Sequence, residues 1–125
     1  MINLNIEQID DIIIIHLSGS FNIENLSRVE AVWMDQVCRN PRIIALDCGE
    51  LEGLDSSAIG SIVQFFNFAM NRNIQLTFYD LKPIIQKLFS TARLNRYFNI
   101  TTKHEFENRC SAEAPSLSPD CNKVR

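Results

Sequence analysis

Ile2, Leu4 and Ile6 alternate with Asn3, Asn5 and Glu7, the period-two pattern of a half-buried strand. Residues 12–17 form a denser apolar run rich in β-branched residues, which predicts a more buried strand. Asp10-Asp11 between them suits a tight hairpin, because Asp tolerates turn geometry. Residues 18–22, Ser-Gly-Ser-Phe-Asn, break the pattern. Leu26, Val29, Val32, Trp33 and Val37 then follow helical spacing, with Ala31 and Met34 beside them and Asn22 or Asn25 as the expected cap. Asn40-Pro41 ends that helix, since Pro disfavours a helical residue before it. Residues 43–47 read as the central strand, and a helix is predicted from about Ile59 to Met70, with Ile59, Ile62, Val63, Phe66 and Met70 as its core stripe. Asn71-Arg72-Asn73 stops it. Ile74, Leu76 and Phe78 alternate as a strand. Pro83 opens a helix whose apolar face is Ile84, Ile85, Leu88 and Phe89. A short strand over 97–100 and a short polar helix over 103–109 follow.

The order is ββαβαβαβα, which predicts an α/β fold: a mixed, mostly parallel sheet with helices packed on it and an antiparallel hairpin at its start. Residues 1–110 are expected to form one domain. From residue 111 to 125, Ser, Pro, Asp, Asn and Ala dominate, which predicts a disordered tail containing Cys121.

The chain has 125 residues, 46% of them hydrophobic, and a net charge of −3 without a basic tract. That length suits one domain with a real core. The charge argues against nucleic-acid binding through a broad positive surface and against an anionic-lipid patch. No apolar run approaches a membrane span, and residues 12–15 are too short and follow acids, so neither a span nor a secretory signal is expected. A cytoplasmic location follows as the expectation. The four cysteines form no CxxC motif and lack His partners at zinc spacing, so no metal and no cofactor is expected. Cys38 and Cys48 read as small, partly buried hydrophobes.

The most informative stretch is Asp55-Ser56-Ser57-Ala58-Ile59-Gly60. A hydrophobic strand runs into it and an apolar-striped helix runs out. Ser56 as a hydrolase nucleophile would need a base and an oxyanion site, but the GxSxG pattern is absent, His16 lies in an apolar strand and His104 in a polar distal segment. A phosphate-binding P-loop would need a Lys before Ser or Thr, which Gly49, Gly53 and Gly60 do not accompany. Asp47, Glu50, Glu52 and Asp55 read as a solvated acidic loop rather than a catalytic pair or a magnesium site. No enzyme activity is therefore expected.

With Asp55 as the cap, Ser56 stands at the first helical turn with its hydroxyl near solvent and Ser57 one step further round. A phosphoryl group there meets unpaired helix N–H groups and the positive end of the helix dipole. On these grounds alone the reading as an ordinary helix start is favoured. Further along, Phe68 points away from the expected core stripe, with Ser57, Gly60, Ser61 and Gln64 near its face. It fits either a partner groove or the bland alternative of core wrapping or contact with the Trp33 helix.

Residues 43–47 (Ile-Ile-Ala-Leu-Asp) followed by Leu54-Asp55-Ser56-Ser57-Ala58-Ile59-Gly60 resemble the signature of the STAS domain, and most closely that of the anti-sigma factor antagonists: a hydrophobic strand, an acid, then Asp-Ser-Ser/Thr-Gly/Ala-Leu/Ile-Gly. The resemblance extends through His16-Leu17-Ser18-Gly19, Asn73-Ile74-Gln75-Leu76, Leu81-Lys82-Pro83 and Leu94 to Ile100, in family order over about residues 2 to 109. It implies that Ser56 is phosphorylated by an anti-sigma factor with serine-kinase activity. It implies that the unphosphorylated form binds that kinase and frees a sigma factor, and that a PP2C-like phosphatase resets the switch. Asp55, Ser56, Ser57, Gly60, Ser61, Gln64 and Phe68, with Asn22 on the neighbouring loop, would then line the partner surface. Asn22 stands where the family usually has Asp, so hydrogen bonding is kept and charge is lost. Ala58 stands where Gly is frequent, which favours the helix. The alternative is a constitutive STAS interaction subunit, for example of a transport complex, without phosphorylation.

Overall fold

The computed structural model describes residues 2–96 and 98–113. In chain order the elements are β1 (Ile2–Ile9), β2 (Ile12–Phe21), α1 (Leu26–Val37), β3 (Ile43–Leu54), α2 (Ser56–Asn71), β4 (Gln75–Tyr79), α3 (Pro83–Thr91), a 3-10 turn at Leu94–Arg96, β5 (Asn99–Thr101) and α4 (Lys103–Glu113). The expected alternation is observed. The last helix runs beyond residue 110 to Glu113. Residues 114–125, with Cys121, lie outside the described residues, as does Tyr97 at the expected start of the last strand.

The five strands lie side by side in sequence order. β1 and β2 are antiparallel across a two-residue turn at Asp10-Asp11, with Ile9 opposite Ile12 and Asp10 at φ 54. The pairs β2–β3, β3–β4 and β4–β5 are parallel. Parallel neighbours need crossovers, and crossovers of one hand marching one way across a sheet stack their helices on one face. Accordingly α1, α2 and α3 share one face. Their Val29, Trp33, Ala58, Ile62, Phe65, Ala69, Ile85 and Phe89 form one core with the odd positions Ile13, Ile15 and Leu17 of β2 and the even positions Ile44, Leu46, Leu76 and Phe78 of β3 and β4. The opposite face holds a smaller cluster of Ile12, Ile14, Ile43, Ala45 and Tyr79, closed by Phe106 of α4.

Several features depart from the expectations. β2 does not break at Ser18 but continues to the fully buried Phe21, through Gly19 at φ 103. β3 continues past Asp47 to Leu54, and two register shifts against β2 absorb its extra residues. Such bulges hide period-two patterning, because the inward side chain changes parity at each one. The centre of α2's buried stripe is Ala58, Ser61, Ile62, Phe65 and Ala69; Ile59, Val63 and Phe66 flank it, and Met70 is 56% exposed. Ile84 is likewise exposed rather than part of the α3 core face, and Cys38 is exposed while Cys48 is buried.

Helix ends follow local chemistry. α1, α2 and α3 each run into a left-handed residue, Asn40, Asn73 and Arg93. After α2, the Ile74 amide reaches back to the Ala69 carbonyl at 2.9 Å, closing the helix before β4. Pro83 is at the start of α3, where its missing N–H costs nothing.

Candidate functional site

The parallel strands β2, β3 and β4 all end at the same edge of the sheet, so the loops after them converge there. β3 delivers Asp55 in extended conformation, φ −100 and ψ 179, as the N-cap of the 16-residue helix α2. Its Oδ1 accepts from the Ala58 amide at 2.9 Å, while its main-chain carbonyl accepts from the Ile59 amide at 3.0 Å. The other carboxylate oxygen, Oδ2, accepts from the Ile23 amide at 3.0 Å. One carboxylate thus fixes both the helix start and the loop after β2. The Asp55 amide bonds the Phe21 carbonyl at 3.4 Å, which ties the same two segments again.

Ser56 is the first residue of α2 and is exposed. Ser57 is half-buried and Ala58 is buried beneath them. The amides of a first helical turn have no intrahelical acceptors, and Asp55 engages only that of Ala58. The Ser56 hydroxyl therefore stands beside amide donors at the positive end of a four-turn dipole. An attached phosphate would be accommodated there, and it would bring about −1.5 to −2 charge next to the Asp55 carboxylate.

The loop carrying Asn22 is braced internally. The Asn22 amide donates to Asn25 Oδ1 at 3.0 Å, Asn22 Oδ1 accepts from the Glu24 amide at 3.0 Å, and Asn25 Nδ2 donates to the Ser20 carbonyl at 2.9 Å. Asn25 occupies the N-cap position of α1, yet its side chain makes no cap bond because it folds back onto this loop. Neither asparagine is the side-chain cap expected of it.

Helical spacing sends the other candidate residues in two directions. Gly60 is exposed, one turn beyond Ser56, and a Cβ there would meet nothing within 4 Å. Ser61, one turn beyond Ser57, is buried against α1 and donates its hydroxyl to Glu30 Oε2 at 2.7 Å. Gln64 is exposed. Phe68 packs on the edge of the core, with the Arg72 guanidinium 4.8 Å from its ring centre. Ser61, Gln64 and Phe68 line a shallow groove of about 260 Å³ between α1 and α2, together with Glu30, Trp33, Met34 and Phe65. Phe68 thus contributes to core packing and to a groove rim at once.

Two residues at this edge were not expected from the pattern. Ile23, whose amide holds Asp55, is 60% exposed, and Ile84, at the start of α3, is 57% exposed. A third lies away from it. His16 Nδ1 meets Asp47 Oδ2 at 2.6 Å and His16 Nε2 meets Glu7 Oε1 at 3.0 Å. Burial alone lowers the pKa of this imidazole, but the hydrogen bonds and negative charges of Glu7 and Asp47 outweigh it and raise the pKa above its ordinary value. Asp47 Oδ1 also accepts from the Gly49 amide at 3.0 Å, so the acid read as part of a solvated loop is a bracket inside the sheet. The hairpin turn could have signalled part of this, since it sets Asn5 opposite His16 and hence Glu7 diagonally beside it on the same face. Among the described residues, no group of three or more His, Cys, Asp or Glu side chains could hold a metal ion.

Comparison with known proteins agrees with this architecture. BtrV of Bordetella bronchiseptica, whose name assigns it as an anti-sigma factor antagonist, is 24% identical over 102 residues, 82% of this chain and 88% of its own. A Thermotoga maritima structure, also assigned by name as an anti-sigma factor antagonist, superposes with a TM-score of 0.78 at 20% identity, covering 84% of this chain and 92% of that one. The Bacillus cell fate determinant SpoIIAA in its phosphorylated form superposes with a TM-score of 0.67 at 16% identity, covering 86% of this chain and 98% of its own. The STAS domain model matches residues 3–107, and with this sheet order and helix placement the chain belongs to the STAS domain family.

Proposed function

We propose that this protein is a phosphorylation-controlled antagonist of an anti-sigma factor, a binding module and kinase substrate rather than an enzyme. The observation that carries the reading is the exposed Ser56 hydroxyl at the first turn of α2, beside a cap carboxylate that also holds the loop after β2. The names of BtrV and of the Thermotoga structure support the partner class. In this reading the unphosphorylated protein binds an anti-sigma serine kinase through Ser56, Ser57, Gly60 and Gln64, with Asn22 and Asp55 on the adjoining loop. Ser61 and Phe68 shape the groove behind them.

The kinase transfers the γ-phosphoryl group of ATP to Ser56 Oγ, releasing ADP, and the Ser56 proton leaves to a base on the kinase. The added charge joins that of Asp55, and an acidic partner surface is repelled. A PP2C-like phosphatase hydrolyses the ester and restores binding. Because the exchange consumes ATP and acts on a sigma factor, it operates in the cytoplasm. Binding of the cognate anti-sigma factor to wild type and to Ser56→Asp tests this. Ser56→Asp should weaken binding at least tenfold. Equal affinity would turn the reading toward a constitutive interaction subunit. Phe68→Ala should weaken the same binding with the fold retained; a variant that no longer folds would assign Phe68 to the core alone.

A further inference from the structure

The sheet ends in two edges of unlike length. β5, at one side, is three residues long, and β1, at the other, is eight. Short edges resist pairing with another chain, and long edges in natural proteins usually carry Lys, Pro or a bulge that prevents it. β1 reads Ile-Asn-Leu-Asn-Ile-Glu-Gln-Ile and has no Lys and no Pro. Its register against β2 is unbroken from Ile2 opposite Gly19 to Ile9 opposite Ile12. Its one charge, Glu7, is engaged by His16 at 3.0 Å and so is turned onto the sheet face. Among the described residues β1 pairs with β2 alone, and Ile6 and Ile9 are 41% and 48% exposed. Arg28 Nη1 holds the Ile2 carbonyl at 2.8 Å, at the start of the strand and clear of its middle.

We infer that β1 pairs with β1 of a second copy of this chain, antiparallel about a two-fold axis at Asn5, joining two five-stranded sheets into one. Residues opposite each other in an antiparallel pair share a sheet face. The Asn5-centred register sets Leu4 opposite Ile6 of the second copy, Asn3 opposite Glu7, and Asn5 opposite itself. Leu4 meets Ile6 at the centre of the helix-covered face, flanked by Ile2 against Gln8, and on the other face Asn5 meets Asn5 and Asn3 meets Glu7. A slip by one residue would set Ile6 opposite Asn5 or Asn3 instead. The two Glu7 carboxylates lie four positions apart along the pair, roughly 13 Å, which exceeds the screening length of about 8 Å at physiological salt. An interface of one strand pair is small, so association is weak, with a Kd on the order of 10 to 100 μM.

Sedimentation velocity of the full chain across that concentration range and somewhat above it tests the inference. Wild type should pass from monomer to dimer. Ile6→Lys places a solvated charge at an already exposed edge position and should raise the dimer Kd at least tenfold. Ile84→Lys, at a still more exposed isoleucine on α3, should leave it unchanged. Amide exchange keeps loss of fold apart from loss of pairing: β1 amides of wild type should gain protection as concentration rises, while core amides in all three proteins stay protected. A wild type that remains monomeric throughout overturns the inference and leaves the edge to a strand of another protein. A dimer that Ile6→Lys does not weaken, or that Ile84→Lys does, also overturns it.

Discussion

On the sheet face that carries α1, α2 and α3, aromatic rings interlock. Trp33 stacks on Phe65 with centroids 4.2 Å apart, Phe21 meets the Trp33 edge, and Phe98 lies against Phe66, Phe78 and Phe89. On the opposite face one stacked pair, Tyr79 and Phe106, closes a small apolar cluster, and the space beside it is spanned by His16 between Glu7 and Asp47. The first face holds α2 in place by burial, which pH and salt barely affect. The second holds three strands together through charge. The Ser56 site is built on the first: α2 is anchored by Phe65 and Ala69, and Asp55 ties its N-terminus to the loop after β2. Titration acts on the second face, away from the hydroxyl.

Removing an aromatic from each face breaks the comparison most strongly. Phe65→Ala should lose about 3–5 kcal/mol in denaturant unfolding, because it empties a filled site between α1 and the sheet. Phe106→Ala, in the smaller cluster, should lose less, near the lower end of that range at about 3 kcal/mol. Equal losses would mean that the two faces support the fold alike.

Asp55→Ala removes the acceptor for the Ala58 and Ile23 amides together and should cost about 1–2 kcal/mol. Asp55→Asn should recover part of that loss. Amide exchange should show the loop after β2 opening along with the first turn of α2.

The opposite face predicts a pH dependence. Both ring nitrogens of His16 face carboxylates, which only the imidazolium can satisfy as a double donor. Its folded pKa is raised, so the folded state binds the proton more tightly than the unfolded state. This contribution to stability is fully present below the unfolded value near 6.5 and is lost as pH rises through the folded value. His16→Gln should flatten that part of the stability–pH curve. A His16→Gln curve that keeps the wild-type slope would place the titration elsewhere.

Much of the fold could be read from periodicity because most strands and helices keep their period from end to end. Ile13, Ile15 and Leu17 face one side and Ile12 and Ile14 the other, so residues 12–17 signal a strand buried on both faces. The second halves of β2 and β3 were not legible. Gly19, Gly49 and Gly53 suggest loops, and two bulges shift the inward parity, but pairing of Phe21 with Leu54 keeps both strands going to the sheet edge. The α2 stripe shifted because Ala58, Ser61 and Ala69 are small and carry little hydropathic signal, yet they are what lets the helix approach α1 and the sheet. Within the candidate site, the Asp55 cap and the exposed Ser56 were legible from local chemistry. The bond from the Ile23 amide and the burial of Ser61 against Glu30 were not, since each joins segments about thirty residues apart.

The central claim rests on a single hydroxyl. Ser56→Ala should change stability by less than about 0.5 kcal/mol, since the side chain is exposed and the cap is Asp55. Intact mass after incubation with the cognate anti-sigma kinase and ATP is the most direct measurement. Wild type should gain one phosphate, and Ser56→Ala should gain none. Phosphate retained in Ser56→Ala, located on Ser57, or absent from wild type would contradict the account.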